Sequence, residues 1–463
     1  MRTRFGIMVT VVALATAACS GGSSGGTSSG GLGSATTAPL AQDAACKNAT
    51  LTSPEVGVTV KTITVTVAAD VQNAFKPGLF KGSWDGMKAW GNYINANGGL
   101  ACRQVVVKTV DSHLSPDDSK AAIAQACTNS LATVGTTALF LNDVSGMNGC
   151  KDKAGVATGL PDIALVQTDP AQQCSPVSFA ALPTNSSCPY SGTGLRTFKV
   201  LPTQVDYYKA KYRTALHGVF VIPKDTPSTI SSAMPVFRGQ NLMGIKSDAE
   251  FGMSGLATQP DYTQVAQALK QHHSNYASSL LDYSGVVLAR KEAAVQGSND
   301  VTVWDCQLNC YDQRLITTGG SAVEGTYVWL SYLPFEDKGS NPELDAFLKY
   351  DKSPDGWGIQ AWLAGEIFAR AVKDAIAAHG NDPNAITRAN LLTAIRGIHD
   401  FDANGLMAKT DVGGRTRTAC LVGMQVQHGK FVRIDPPTPG TFDCDNNKAL
   451  PTLTIDPFKE YKG

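Results

Sequence analysis

Residues 58–70 read VTVKTITVTVAAD and residues 83–99 read SWDGMKAWGNYINANGG. In the first stretch β-branched residues alternate with period two, the pattern of a strand with two unlike faces. In the second, Trp84, Met87, Trp90, Tyr93 and Ile94 recur at helical spacing, and Gly98-Gly99 supplies a stop. The same unit then repeats. CRQVVVKTVD (102–111) is a second strand, and SPDDSKAAIAQACTN (115–129) is a helix with Ser115 as N-cap and Pro116 just inside. TTALFLN (136–142) reads as a third strand and PDIALVQ (161–167) as a fourth. Strands spaced by helices predict βαβ units and a parallel sheet. The pattern resumes with GVFVIP (218–223), DYTQVAQALKQH (261–272), SSLLDYSGVVLARKEAAVQG (278–297) and DVTVWD (300–305). Residues 357–380 form a long helix whose Ile359, Trp362, Leu363, Ile367, Phe368, Val372 and Ile376 lie on one face, as core packing requires. The two blocks, 60–200 and 201–323, predict two similar α/β lobes.

Composition narrows the class. Lys+Arg and Asp+Glu both number 39, so no basic surplus points to nucleic acid and no acidic tail points to a solvating segment. Apart from the N-terminal run, no apolar stretch approaches the length of a membrane helix. Metal binding has little support: Cys306 and Cys310 are four apart, but no second Cys or His pair stands at zinc-ligand spacing.

The N-terminus sets the compartment. Arg2 and Arg4 precede an apolar run from Phe5 to Thr16, then Ala17, Ala18 and Cys19. Of the 18 residues from Ser20 to Thr37, 13 are Gly or Ser, so a flexible tether follows the cleavage point. This arrangement resembles a bacterial lipoprotein signal in which Cys19 is freed and acylated, although Thr16 stands where that pattern favours Leu. The chain is then extracytoplasmic, held by lipid to the outer face of the cell membrane. Setting Cys19 aside leaves ten cysteines, an even number that suits disulfides in an exported protein.

Several segments resemble the leucine/isoleucine/valine-binding family of type I periplasmic solute-binding proteins. DGMKAWGNYINANGGLACRQVVVKTVD (85–111) is similar to its first helix and second strand, and SPDDSKAAIAQACTN to its second helix. VEGTYVWLSYLPFEDKGSNPELDAFLKYDK (323–352) resembles the segment that re-enters the first lobe, and IHDFDANGLM (398–407) the approach to the final crossover. The resemblance implies an α/β protein of two Rossmann-like lobes joined by three crossover strands, with a ligand in the cleft and no enzymatic chemistry. It implies a signal peptide over 1–19, a tether over 20–58, a first lobe of 59–200 and 324–400, and a second lobe of 201–323 and 401–463.

The same resemblance carries over site residues. Ser145, after the third strand, falls where the family binds the ligand carboxylate at a helix N-terminus; it also reads as an ordinary N-cap. Thr168 in VQTDP matches a ligand-binding Thr and equally a turn residue. Tyr283 corresponds to an aromatic that covers the ligand, and Asp305 lies one residue from the ammonium-binding acid. Phe80 or Trp84 lines the cleft from the first lobe. The family's serine run is reduced to Ser145, and PKDTPSTISSAMP (223–235) replaces its Tyr-Gly pair, which turns the expected ligand from a branched-chain amino acid to a small polar molecule of amino-acid or amide type. Cys102 with Cys127 resembles a family disulfide. Cys174 with Cys188, Cys306 with Cys310 and Cys420 with Cys444 pair by proximity, which leaves Cys46 with Cys150.

The implied partner is an ABC importer permease, with the binding protein a monomer that needs no cofactor. A sensor that reports to a membrane signalling partner uses the same module. A secreted hydrolase finds support only in Gly22-Ser23-Ser24-Gly25-Gly26, a G-x-S-x-G match inside the tether rather than on a strand-to-helix turn.

Overall fold

The computed structural model describes residues 46, 48–184, 186–188, 194–444 and 450–462. The expected signal peptide, Cys19 and most of the expected tether lie outside these residues. Alternation in the first strand does what it promised: Ile63, Val65 and Val67 are fully buried. The first lobe follows as β1 (Thr62–Ala69), α1 (Lys81–Ala96), β2 (Gln104–Asp111), α2 (Pro116–Asn129), β3 (Ala132–Thr136), β4 (Asp162–Val166) and β5 (Ser178–Leu182). These strands form one parallel sheet in the order β2-β1-β3-β4-β5. Ser115 caps α2 as expected, accepting the Asp118 N–H at 3.3 Å.

After β6 (Arg196–Lys199) comes the second lobe: α3 (Thr203–Tyr212), β7 (His217–Pro223), α4 (Pro227–Leu242), β8 (Lys246–Met253), α5 (Thr263–Gln271), β9 (Tyr276–Ser279), α6 (Tyr283–Gln296), β10 (Val303–Cys306), α7 (Gln313–Gly319) and β11 (Thr326–Leu330). The chain then returns to the first lobe for α8 (Pro342–Tyr350), α9 (Gly356–Ala378) and α10 (Arg388–Arg396). It crosses back for β12 (Val422–Gln427) and β13 (Lys430–Asp435), and β14 (Thr452–Ile455) closes the chain against β6. The second sheet has seven strands in the order β13-β12-β11-β10-β9-β7-β8, and only β12 and β13 run antiparallel to their neighbours.

The expected three connections are present. The first runs from β5 to α3 through β6. The second (331–341) and third (398–421) pair with each other: Leu333 donates its N–H to the Leu406 carbonyl at 2.9 Å, and Tyr332 bridges Met407. The second passage begins later than the boundary at 324, because β11 pairs with β10 and β12 and so belongs to the second sheet. The flexible stretch expected through residue 58 also ends earlier. Thr52 donates to Asn384 at 2.9 Å, and the Glu55 carboxylate accepts the N–H of Lys153 at 2.8 Å and of Arg388 at 3.1 Å.

Five disulfides join Cys46–Cys102, Cys127–Cys150, Cys174–Cys188, Cys306–Cys310 and Cys420–Cys444. The expected pairs Cys102–Cys127 and Cys46–Cys150 are therefore corrected. The reason is strand order. β2 is the sheet edge, whereas α2 delivers Cys127 to β3 on the far side of β1, next to Cys150 ahead of β4. Arg388 fastens the returning helices there. Its fully buried guanidinium donates to the carbonyls of Cys127, Ser130 and Lys151 at 2.6–2.7 Å.

Packing of α9 on α1 builds the interior of the first lobe. Ile359, Trp362, Leu363, Ile367, Phe368 and Val372 are all fully buried, each worth about 2 kcal/mol of transfer free energy. The helices approach so closely because glycines face each other. A Cβ on Gly86 would overlap the Gly358 carbonyl oxygen, and one on Gly365 would lie 2.5 Å from the Trp90 ring. Gly86→Val is expected to cost about 3 kcal/mol by overpacking a contact made of backbone. A urea midpoint equal to that of the unmodified chain would contradict this packing.

Candidate functional site

In both lobes the loops at the carboxyl ends of the parallel strands face one crevice, the usual place for a ligand in open α/β sheets. Asp70, immediately after β1, organises the first-lobe side. Its buried carboxylate accepts the Ser112 hydroxyl at 2.6 Å and the N–H groups of Leu114 and Leu139 at 2.8 Å. It thereby ties together the loops after β1, β2 and β3, and burial pushes its carboxyl up. The wall so formed is apolar. Val71 and Phe80 are buried with Leu79, Trp84, Leu139 and Trp357 packed against them. Trp357, at the head of α9, stands edge-on to Phe80 with ring centroids 4.9 Å apart.

The second lobe contributes charge. Lys76, on the loop after β1, crosses the crevice to pair with Asp282 and to donate to the Ser284 hydroxyl at 3.3 Å. Tyr283 lies between two cations, Lys76 at 4.6 Å and Arg314 at 4.7 Å from its ring. Burial lowers the Lys76 ammonium to about 8, with Arg314 adding repulsion. Further along the seam, Ser232 of α4 donates to the Thr168 carbonyl at 3.5 Å.

Phe80, Thr168 and Tyr283 are thus brought to the crevice. Ser145 is exposed at the head of a four-residue helical turn, and its N–H already donates to Asp143 at 3.0 Å. With Asp143 itself 3.2 Å from Lys120, the Ser145 N–H is committed to the turn's own acid.

Asp305 is the clearest correction. It lies inside β10 rather than beyond its end, 2% exposed, and faces the interior of the second lobe. Its carboxylate accepts from Tyr276 at 2.8 Å, Tyr208 at 2.9 Å, Gln204, Gln240 and Gln307 at 3.1 Å, and Ser278 at 3.2 Å. Nothing is left of it for an ammonium group. Residues that the sequence reading passed over hold the crevice instead: Asp70, Lys76, Arg314, Asp355 and Trp357. Trp357 had a signal, since it stands at the head of the long helix ahead of the apolar residues from Ile359 onward.

Beside the aromatic wall a cavity of about 460 Å³ opens between the lobes, within the range of small-molecule sites. Its walls are the heads of α1, α7 and α9, the start of the second passage and Phe431 of β13. Asp355 caps α9 there, accepting the Gly358 N–H at 2.7 Å. Burial pushes its carboxyl up to about 6, and the nearby Asp312 and Asp351 add repulsion.

Residues 249–430, from β8 through β13, match the sequence model of the family described as periplasmic binding protein. No curated protein matches the chain in sequence. Solved structures match in fold. The substrate-binding protein of an ABC transporter from Aeropyrum pernix superposes with a TM-score of 0.65 at 12% identity, over 84% of this chain and 98% of that one. A fatty acid ABC transporter substrate-binding protein from Thermomonospora curvata gives 0.65 at 16%, over 86% and 96%. The leucine-binding protein LivK from Thermotoga maritima gives 0.59 at 15%, over 80% and 97%. The chain therefore has the two-lobed fold of the type I periplasmic binding proteins, as the sequence resemblance implied.

Asp305→Ala is expected to cost at least about 3 kcal/mol, because each buried donor left without an acceptor costs about 1–3 kcal/mol. Solute affinity should stay within twofold. Chemical denaturation and calorimetry measure both, and lost affinity with intact stability would return Asp305 to the crevice.

Proposed function

We propose that this chain is an extracytoplasmic solute-binding protein that captures a small ligand between its lobes and hands it to an ABC importer, without transforming it. The observation that carries the reading is the joining of two α/β lobes by three short passages, with a ligand-sized cavity opening between them. The sequence match over residues 249–430 and the names of the proteins that share its fold support the same reading. In this reading Phe80, Trp357, Tyr283 and Thr168 belong to the crevice walls beside that cavity, which close over the bound ligand. Cys19 anchors the chain by lipid in this account; Cys19→Ala would then move it from the membrane fraction to the medium.

A binding protein of this kind works by differential affinity: the ligand favours whichever arrangement lets both lobes touch it. The Lys76 pair with Asp282 forms only when the lobes approach, so it adds to that preference. Calorimetric titration of the purified full chain against amino acids, amides, organic cations and carboxylic acids should find a saturable ligand. X-ray scattering should show a smaller radius of gyration with it bound. No saturable ligand together with unchanged scattering would refute solute capture.

A further inference from the structure

The inter-lobe cavity carries a charge pattern that narrows the ligand class, an inference that rests on the solute-capture reading. Its two cations are both committed. Lys81 pairs with Asp85, and Arg314 holds Asp312 through three hydrogen bonds of 2.6–3.0 Å. Two further carboxylates line the cavity and make no ion pair among the described residues. Asp355 accepts the Gly358 N–H, and Glu336 accepts the Tyr311 hydroxyl at 2.6 Å. Burial pushes both carboxyls up, and only Arg314, already bonded to Asp312, offsets Asp355 from a distance, so each is an anion held at a cost.

The same cavity is lined by aromatic rings. Tyr311 stands 5.0 Å from Phe335 and 5.0 Å from Phe431, centroid to centroid, and all three face the cavity. Ring faces attract a partly desolvated cation through their quadrupole, and nearby carboxylates supply its countercharge. An anionic solute meets the opposite conditions: Arg314 and Lys81 are already paired with Asp312 and Asp85, and it faces Asp355 and Glu336 as well. A zwitterionic amino acid finds neither anchor expected of it, since Asp305 is consumed inside the second lobe and the Ser145 N–H is taken by Asp143.

We propose that the inter-lobe cavity binds an organic cation, an alkylammonium or quaternary ammonium compound, held by the carboxylates of Asp355 and Glu336 against the rings of Tyr311, Phe335 and Phe431.

The test is calorimetry on the full chain with choline, butylammonium and spermidine as cations. The uncharged choline isostere 3,3-dimethylbutan-1-ol, leucine and benzoate serve as comparators. Asp355→Asn removes the charge while keeping an N-cap residue for α9, and Glu336→Gln removes the other charge. At least one cation should bind tenfold or more tighter than the alcohol, leucine and benzoate. Each substitution should weaken that cation at least fivefold with an unchanged melting temperature. The cation assignment is overturned if no cation binds, if a comparator binds as tightly, or if both variants keep full affinity. Binding of leucine or benzoate alone would overturn it and leave solute capture standing. Silence from every solute, with no compaction in scattering, would remove both.

Discussion

The polypeptide passes between its two sheets three times, and every other property of the molecule has to accommodate those passages. Two of them pair with each other through Leu333–Leu406 and Tyr332–Met407. Paired backbone resists sliding and stretching but bends at its ends with small changes of φ and ψ, so the geometry leaves the lobes a hinge as their softest relative motion. A crevice built this way can narrow and widen while its walls stay intact.

The walls stay intact because each lobe is stiffened from within. Glycine-to-backbone contact locks α9 onto α1 in the first lobe. Equivalent strands of the two sheets, β4 and β10, each bury an aspartate among neutral donors. Asp162 accepts from Thr133, Thr136, Gln172 and Ser178 at 2.6–3.0 Å, as Asp305 does from its own set. A fully satisfied buried carboxylate fixes the orientation of every group that donates to it. The polar contacts between the lobes at the crevice are a charged pair, one cation–ring approach, an ammonium on a hydroxyl and a hydroxyl on a carbonyl, interactions that water readily replaces.

Much of the fold was legible because it is written in period. β1, β2, β4 and β7, the helices α1, α2 and α9, and the Ser115 cap all fall where alternation or helical spacing put them. The third strand did not. TTALFLN looks like a strand because Ala138, Leu139, Phe140 and Leu141 are apolar, yet the strand is ATVGT (132–136), interrupted by Gly135 at φ 81°. The apolar run follows the strand instead: Ala138 and Leu141 are buried in the core, and Leu139 packs on the aromatic wall. The site itself was half legible. Phe80, Thr168 and Tyr283, carried over from the family resemblance, stand at the crevice. Asp305 was misassigned because a sequence shows that an acid is near a strand end but not which face of the sheet it occupies. Lys76 carries no local signal, since its partners lie more than 200 positions away, and Asp355 shows locally only as a helix cap, its neighbours across the cavity lying about 40 positions away.

Solute capture requires two rigid lobes to move about three passages and enclose the ligand. The distance between a probe on α2 of the first lobe and one on α5 of the second reports it directly, with spin labels attached through unnatural amino acids so that the disulfides are undisturbed. The account predicts that saturating ligand shifts the distance distribution to shorter values, while distances between two probes within one lobe stay fixed. A single inter-lobe distance, unmoved by any ligand that binds, would contradict it.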